Sequence, residues 1–273
     1  MVFNMLKGGQ PFVTVIGTPD TWHSFVYLYF VHRYRAEQPN ATIITASFND
    51  THAMSECRVL LPESNDGIFH STIPILTGDV VYFYDGPPDL RPPRGAVTVC
   101  FMDYDYTWQK NMRYALTHEC VFTPTWSLAE LLEANELLDL RVSARDIRNR
   151  YAIVGGVPAV CFSADLSEVC RAYERVMACV KAIRSYHDLD AFLFGMTPVS
   201  CSIYPLFHHL PMTESGKRSS TYSATFASKF VLELVAQRTA GSNGERSLRF
   251  SMDHSAEIEG LRAWLDRCTG LSK

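Results

Sequence analysis

Gly17-Thr18-Pro19-Asp20-Thr21-Trp22-His23-Ser24 is the segment of this chain whose residue types and spacing come nearest to a defined chemistry. It follows a short apolar run and leads into a helical pattern, the setting in which G-x-x-x-x-G-K-[ST] wraps the phosphates of a nucleotide. The opening glycine and the closing serine are present, whereas Trp22 and His23 stand where the second glycine and the lysine belong. Such a loop works because backbone N–H groups surround the phosphates, glycine lets the chain come close, and lysine brings charge to the terminal phosphates. Trp22 puts a ring where that space is needed. An imidazole, with an ordinary pKa of about 6.5, is mostly neutral at pH 7 and reaches less far than lysine. Losing one charge-assisted hydrogen bond to a buried anion costs roughly 1.5–3 kcal/mol, or about one to two decades of affinity.

Two later segments carry carboxylates in related settings. Val80-Val-Tyr-Phe-Tyr-Asp85 is an apolar run closed by an acid, the arrangement that holds Mg²⁺ opposite a phosphate loop, with Ser24 as the second metal contact. Asp85 before Gly-Pro-Pro is equally a turn former. Val97–Phe101 runs into Met102-Asp103-Tyr104-Asp105, where a nucleotide hydrolase would place a polar residue beside the γ-phosphate; Asp103 and Asp105 bring negative charge instead and read as solvated turn residues. GxSxG, HExxH and a kinase catalytic loop are absent. His208-His209 are adjacent, point to different sides of either regular element and lack partners at metal spacing. Asn40-Ala-Thr42 and Asn49-Asp-Thr51 are formal glycosylation sequons, informative only for a chain that enters a secretory pathway.

The elements that would position these residues can be read from periodicity. Phe12–Ile16, Thr42–Ala46, Val80–Tyr84 and Ala96–Phe101 are apolar runs of strand length, with a short strand at Arg58–Leu61, and the alternation with amphipathic segments predicts parallel βαβ units rather than hairpins. Ser24–Arg35 reads as a helix with Phe25, Leu28, Tyr29 and His32 on one face, ended by Pro39-Asn40. GPPDLRPPRG, with its four prolines and two glycines, reads as an exposed loop. From about Thr123 the pattern becomes mostly helical: a capping box at Ser127-Leu-Ala-Glu130, a helix from Ser143 to Gly155-Gly156, a long amphipathic helix over Asp165–Tyr186, and further helices at about Ala224–Arg238 and Ser255–Arg267.

A chain of 273 residues with 47% hydrophobic and 20% charged residues can bury a core and is not a disordered, collagen-like or coiled-coil sequence. The net charge of −4 supplies no general basic field, so nucleic-acid binding would need a local patch that composition does not announce. No run approaches the roughly 18 apolar residues of a membrane span, and the N-terminus lacks the features of a signal peptide. The eight cysteines are scattered, without CxxC, and read as buried thiols of a reducing compartment.

Taken in order, VIGTPDTWHSFVYLYFVHRYR, VVYFYDGPP, AVTVCF, FTPTWSLAELLEANELL and RYAIVGGVPAVCFS resemble the P-loop ATPase module of Crinkler effectors, secreted proteins of oomycetes and some fungi, a module shared with trypanosome retrotransposon-hot-spot proteins. The likeness extends over Pro11–Ser163 and more weakly through LFHHLPMT and ATFASKFVLELV. The resemblance implies an α/β, P-loop NTPase-like (AAA/STAND-like) parallel sheet with a C-terminal helical lid, here a core over 1–123 and a lid over 124–273. It also implies ATP and Mg²⁺ as ligands, delivery into a host cell, accumulation in its nucleus, and host proteins or chromatin as partners.

In the family the loop reads Gly-Thr-Pro-Gly-x-Gly-Lys-Ser and the later turn Gly-Gly-x-Pro-Arg. This chain departs at Asp20, Trp22, His23 and Ala159, the last where an arginine would touch the γ-phosphate. The expectation is therefore a pseudo-ATPase, retained as a binding module, that holds nucleotide weakly or not at all. The alternative is an active, atypical ATPase in which Trp22 stacks on a base or substrate, His23 contacts phosphate when protonated and Asp85 positions Mg²⁺.

Overall fold

The computed structural model describes residues 2–18, 23–49, 51–62, 64, 67–88, 96–103, 108, 118–183, 205–214 and 217–239. Within them the chain is α/β and falls into two compact units that divide between Pro124 and Thr125, with residues 211–222 grouped with the first.

The first unit is built on seven strands: β1 (Phe12–Gly17), β2 (Thr42–Phe48), β3 (Met54–Leu60), β4 (Ile68–Phe69), β5 (Val80–Asp85), β6 (Val97–Asp103) and β7 (His118–Phe122). They lie in the order β4-β3-β2-β5-β6-β1-β7. β2, β5, β6, β1 and β7 are mutually parallel. Every residue of β1 is buried, which is why FVTVIG reads as a continuous apolar run and not as an alternation.

β3 and β4 depart from the parallel pattern predicted from the sequence, since both pair antiparallel. The reversal after β2 is made by Asn49, whose side-chain oxygen accepts from the Thr51 and Ala53 N–H groups at 3.0 Å each, while His52 takes φ 63°. An Asx turn of this kind closes a hairpin and leaves no room for a crossover helix. β7 is a further strand that the sequence did not announce. HECVF is short, carries two polar residues, and becomes a strand by pairing beside β1.

Helices α1 (Val2–Lys7) and α2 (His23–Glu37) pack on one face of this sheet. Tyr27 and Phe30 are the buried residues of α2, set against Phe83 and Phe101, and burial of such side chains contributes roughly 1.5–3 kcal/mol each. The stripe Phe25, Leu28, Tyr29 lies on the opposite side of the helix, 64%, 59% and 60% exposed. The other face of the sheet buries Ile44, Tyr82, Tyr84, Cys100 and Met102 with Trp108.

The second unit has its own core. It contains α3 (Leu128–Leu137), α4 (Ala144–Val154), α5 (Pro158–Cys161), α6 (Leu166–Ala182) and α7 (Lys229–Thr239). Ser127 and Glu130 form a reciprocal capping box at α3; Ser143 caps α4 and Asp165 caps α6. In place of a helix from Ala224 the chain forms a hairpin of β8 (Phe207–Glu214) and β9 (Lys217–Phe226). The run Ser219-Ser-Thr-Tyr-Ser-Ala-Thr-Phe226 is rich in β-branched and hydroxyl side chains that suit an extended ladder better than a helix interior. The helix waits for Ser228, whose hydroxyl accepts from Val231 N–H at 3.2 Å and donates to the Ile153 carbonyl at 2.9 Å. The sequence-predicted helix over Ser255–Arg267 lies outside the described residues.

Candidate functional site

The loop residue Gly17 closes β1, where it is buried and stands in register with Asp103 at the end of β6. Thr18 is buried behind it. Pro19, Asp20, Thr21 and Trp22 lie outside the described residues, and His23 is the first residue of α2. Ser24, at the second position of that helix, donates its hydroxyl hydrogen to Asp85 Oδ1 at 3.2 Å. Sixty-one residues separate the two in sequence. What joins them is the strand order: after β1 the chain crosses to β2 and returns through β5 and β6 to lie beside β1 again. The carboxyl ends of parallel strands at such a reversal form the crevice in which α/β folds bind ligands.

The position of Asp85 is tightly fixed. Gly86 follows it at φ 95°, a conformation L side chains rarely adopt, and a Cβ there would stand 3.0 Å from the Phe48 carbonyl oxygen. The Gly86 N–H also donates to the Phe101 carbonyl at 2.8 Å, so the end of β5 is clamped between β2 and β6. On the other side of the sheet's centre, the Thr123 N–H and hydroxyl both donate to the Ile16 carbonyl, at 2.8 and 3.1 Å, tying the end of β7 to the start of the loop. Asp105 lies outside the described residues.

Tyr27, one turn along α2 from Ser24, was not singled out by the sequence. Burial pushes its phenol up to about 12, and the nearby carboxylates of Asp85 and Glu56 act in the same direction. It remains protonated at any physiological pH, with Thr45 and Ser47 around its hydroxyl. Only the three-dimensional placement of β2 beside α2 reveals it.

Ser24 and Asp85 offer the hard oxygen donors that suit Mg²⁺, a cation held through one or two carboxylates together with substrate phosphates and water. They fit that role as a partial donor set: among the described residues no cluster of three or more His, Cys, Asp or Glu could hold a metal. His208 is buried, with its Cε1 2.6 Å from where a Cβ on Gly155 would lie, so it serves the packing of that turn. Ala159 is exposed on α5 in the second unit. Asn40 and Asn49, the two sequon asparagines, are exposed in turns.

A second polar group, also missed from sequence, lies on the face of the sheet away from α2. Thr14 Oγ1 and His118 Nε2 are 2.7 Å apart, Trp108 Nε1 donates to Thr14 Oγ1 at 3.4 Å, and Cys120 Sγ lies 3.7 Å from the same imidazole nitrogen. Burial lowers the His118 pKa to about 4, so the imidazole is neutral at pH 7. The cluster ties β1 to β7 across the sheet, with the neutral imidazole lying against both Thr14 and Cys120.

Comparison of the chain with family models, curated proteins and solved structures gave no match. Among the described residues no helix is long and apolar enough to cross a membrane.

Proposed function

We propose that this chain is a degenerate P-loop ATPase module of the Crinkler type, a pseudo-ATPase that binds nucleotide weakly or not at all and acts as a binding module. The observation that carries the reading is the Ser24–Asp85 hydrogen bond at the carboxyl end of a parallel sheet. In a phosphate-loop enzyme these are the two positions that hold Mg²⁺, and here the metal-holding half persists while Trp22 and His23 replace the glycine and lysine that would grip phosphate. A helical second unit that follows the sheet supports the same reading. When bound, Mg²⁺ would neutralise phosphate charge, and Ser24 and Asp85 are the residues that would hold it. Secretion, entry into a host nucleus, and host proteins or chromatin as partners belong to this proposal through the family resemblance alone.

The experiment is titration calorimetry with ATP and ADP, with and without Mg²⁺, on the native chain and on a Trp22→Gly/His23→Lys variant. The expected result is a silent or weakly binding native chain and a variant tighter by at least one to two decades, about the worth of the lost lysine contact. Tight binding by the native chain would overturn the pseudo-ATPase and favour the active, atypical enzyme. A variant that stays silent would remove the nucleotide pocket from the account altogether.

A further inference from the structure

We propose that Arg150 binds the carboxylate of a small ligand in the second unit, through the edge of its guanidinium formed by Nε and Nη2. The residue lies on α4 and is 4% exposed, so a side chain that stays charged at every accessible pH is almost wholly withdrawn from water. A guanidinium carries five N–H donors in one rigid plane. Nη1 donates to the carbonyl oxygens of Cys161 and Ser163, at 3.0 and 2.7 Å, at the end of α5 and in the turn after it. Nε is buried and has no acceptor. Nη2 makes no hydrogen bond among the described residues. Nor is the charge met by an acid. The described ion pairs of this unit join Arg141 to Asp139 and Arg171 to Asp165 and Glu168, and none includes Arg150. Asp146, on the same helix, accepts from the Ser143 hydroxyl at 2.6 Å, and Glu233, also buried in this unit, is not paired with Arg150.

A buried charge with no opposite charge beside it destabilises a fold, and an anion on the unused donors would relieve that cost. Nε–H and one N–H of Nη2 run parallel, the edge on which a carboxylate or a phosphate docks with two hydrogen bonds. The two carbonyls on Nη1 fix the plane of the guanidinium, so this edge is set before any ligand arrives. Charge separates the two anions. One buried cation neutralises the single negative charge of a carboxylate, whereas a phosphate above pH 7 brings close to two and would leave the excess buried. The depth of the residue selects a small acid over a carboxylate carried on the surface of another protein. This site belongs to the second unit alone and stands or falls separately from the nucleotide reading.

Thermal unfolding of the full chain at pH 8 in sodium acetate from about 1 to 300 mM, against sodium chloride at equal ionic strength, tests it. The expected result is a saturating rise in midpoint of about 3–5 °C once acetate reaches roughly ten times its Kd. Salts also stabilise proteins by exclusion from their surface, so the decisive quantity is the difference from Arg150→Lys, which keeps the charge and a donor for the carbonyls but lacks the two-pronged edge. The saturating part of the rise should be lost in that variant. Equal midpoints in acetate and chloride, or the same saturating rise in the variant, overturn the proposal. The difference between native chain and variant should be smaller in phosphate than in acetate, and an equal or larger one overturns the carboxylate assignment. If the variant fails to fold, the arginine Nε–H resonances of the native chain decide. One of them must move with acetate on the same curve as the midpoint, and a spectrum in which none moves overturns the inference.

Discussion

His118 shows how one buried side chain ties a fold to pH. Its imidazole sits between Thr14 and Cys120 and has a pKa lowered by burial to about 4, while in the unfolded chain it titrates at about 6.5. Because the folded pKa is the lower one, the unfolded chain binds the proton first as pH falls. The stabilisation is therefore complete above pH 6.5 and is lost progressively between there and pH 4. At its upper end the loss is roughly 3 kcal/mol. Replacing His118 by Gln keeps an acceptor for the Thr14 hydroxyl and removes the titration. The difference in urea midpoint between native chain and variant should be constant above pH 7 and shrink steadily toward pH 4.5. A difference that does not change with pH would mean that the folded imidazole is not held neutral.

At the scale of elements, what the sequence made legible was what depends on neighbours along the chain. The capping box at Ser127 and Glu130, the Ser143 cap and the strands β1, β5 and β6 are written in runs of a few residues, because a strand covered on both faces must be apolar throughout. β7 and the β8–β9 hairpin were not legible. Their residues are half polar, and pairing with a distant partner decides their state. The candidate site divides in the same way: Gly17, Ser24 and Asp85 could be named from the runs that flank them, but the 3.2 Å contact and the presence of Tyr27 beside it depend on which strands lie together.

Long-range packing also explains two segments that sequence reading could mark but not connect. Trp126 N–H donates to the Gly156 carbonyl at 3.2 Å, and a Cβ on Gly156 would fall 1.9 Å from the Trp126 carbonyl oxygen. Gly155, at φ 70°, would press a Cβ to 2.2 Å from the Ala227 oxygen. The glycine pair is thus the point at which the start of α3, the end of α4 and the base of the hairpin close on one another. Gly156→Ala should cost about 3–5 kcal/mol, since backbone and not a flexible side chain must move. The thermal midpoint of the variant measures this, and a change of less than about 1 kcal/mol would show that the turn can relax.

On the scale of the whole molecule, the buried apolar residues among those described form two clusters that flank the sheet of the first unit and one inside the second. Buried cysteines report on two of the three, one in each unit. Cys57 and Cys100 are buried at 1% and 0% exposure against one face of the sheet, and Cys161 at 0% in the second unit. Burial raises all three thiols, Cys161 to about 12, so none offers thiolate to an electrophile while its surroundings stay folded. Maleimide labelling at pH 8, read residue by residue by mass spectrometry, should leave these three unmodified in the native chain and expose them with rising urea. If the clusters are energetically separate, Gly156→Ala will bring forward the labelling of Cys161 and leave the midpoints of Cys57 and Cys100 unchanged. Advance of all three together would mean instead that the two units unfold as one cooperative body, whatever the separateness of their cores.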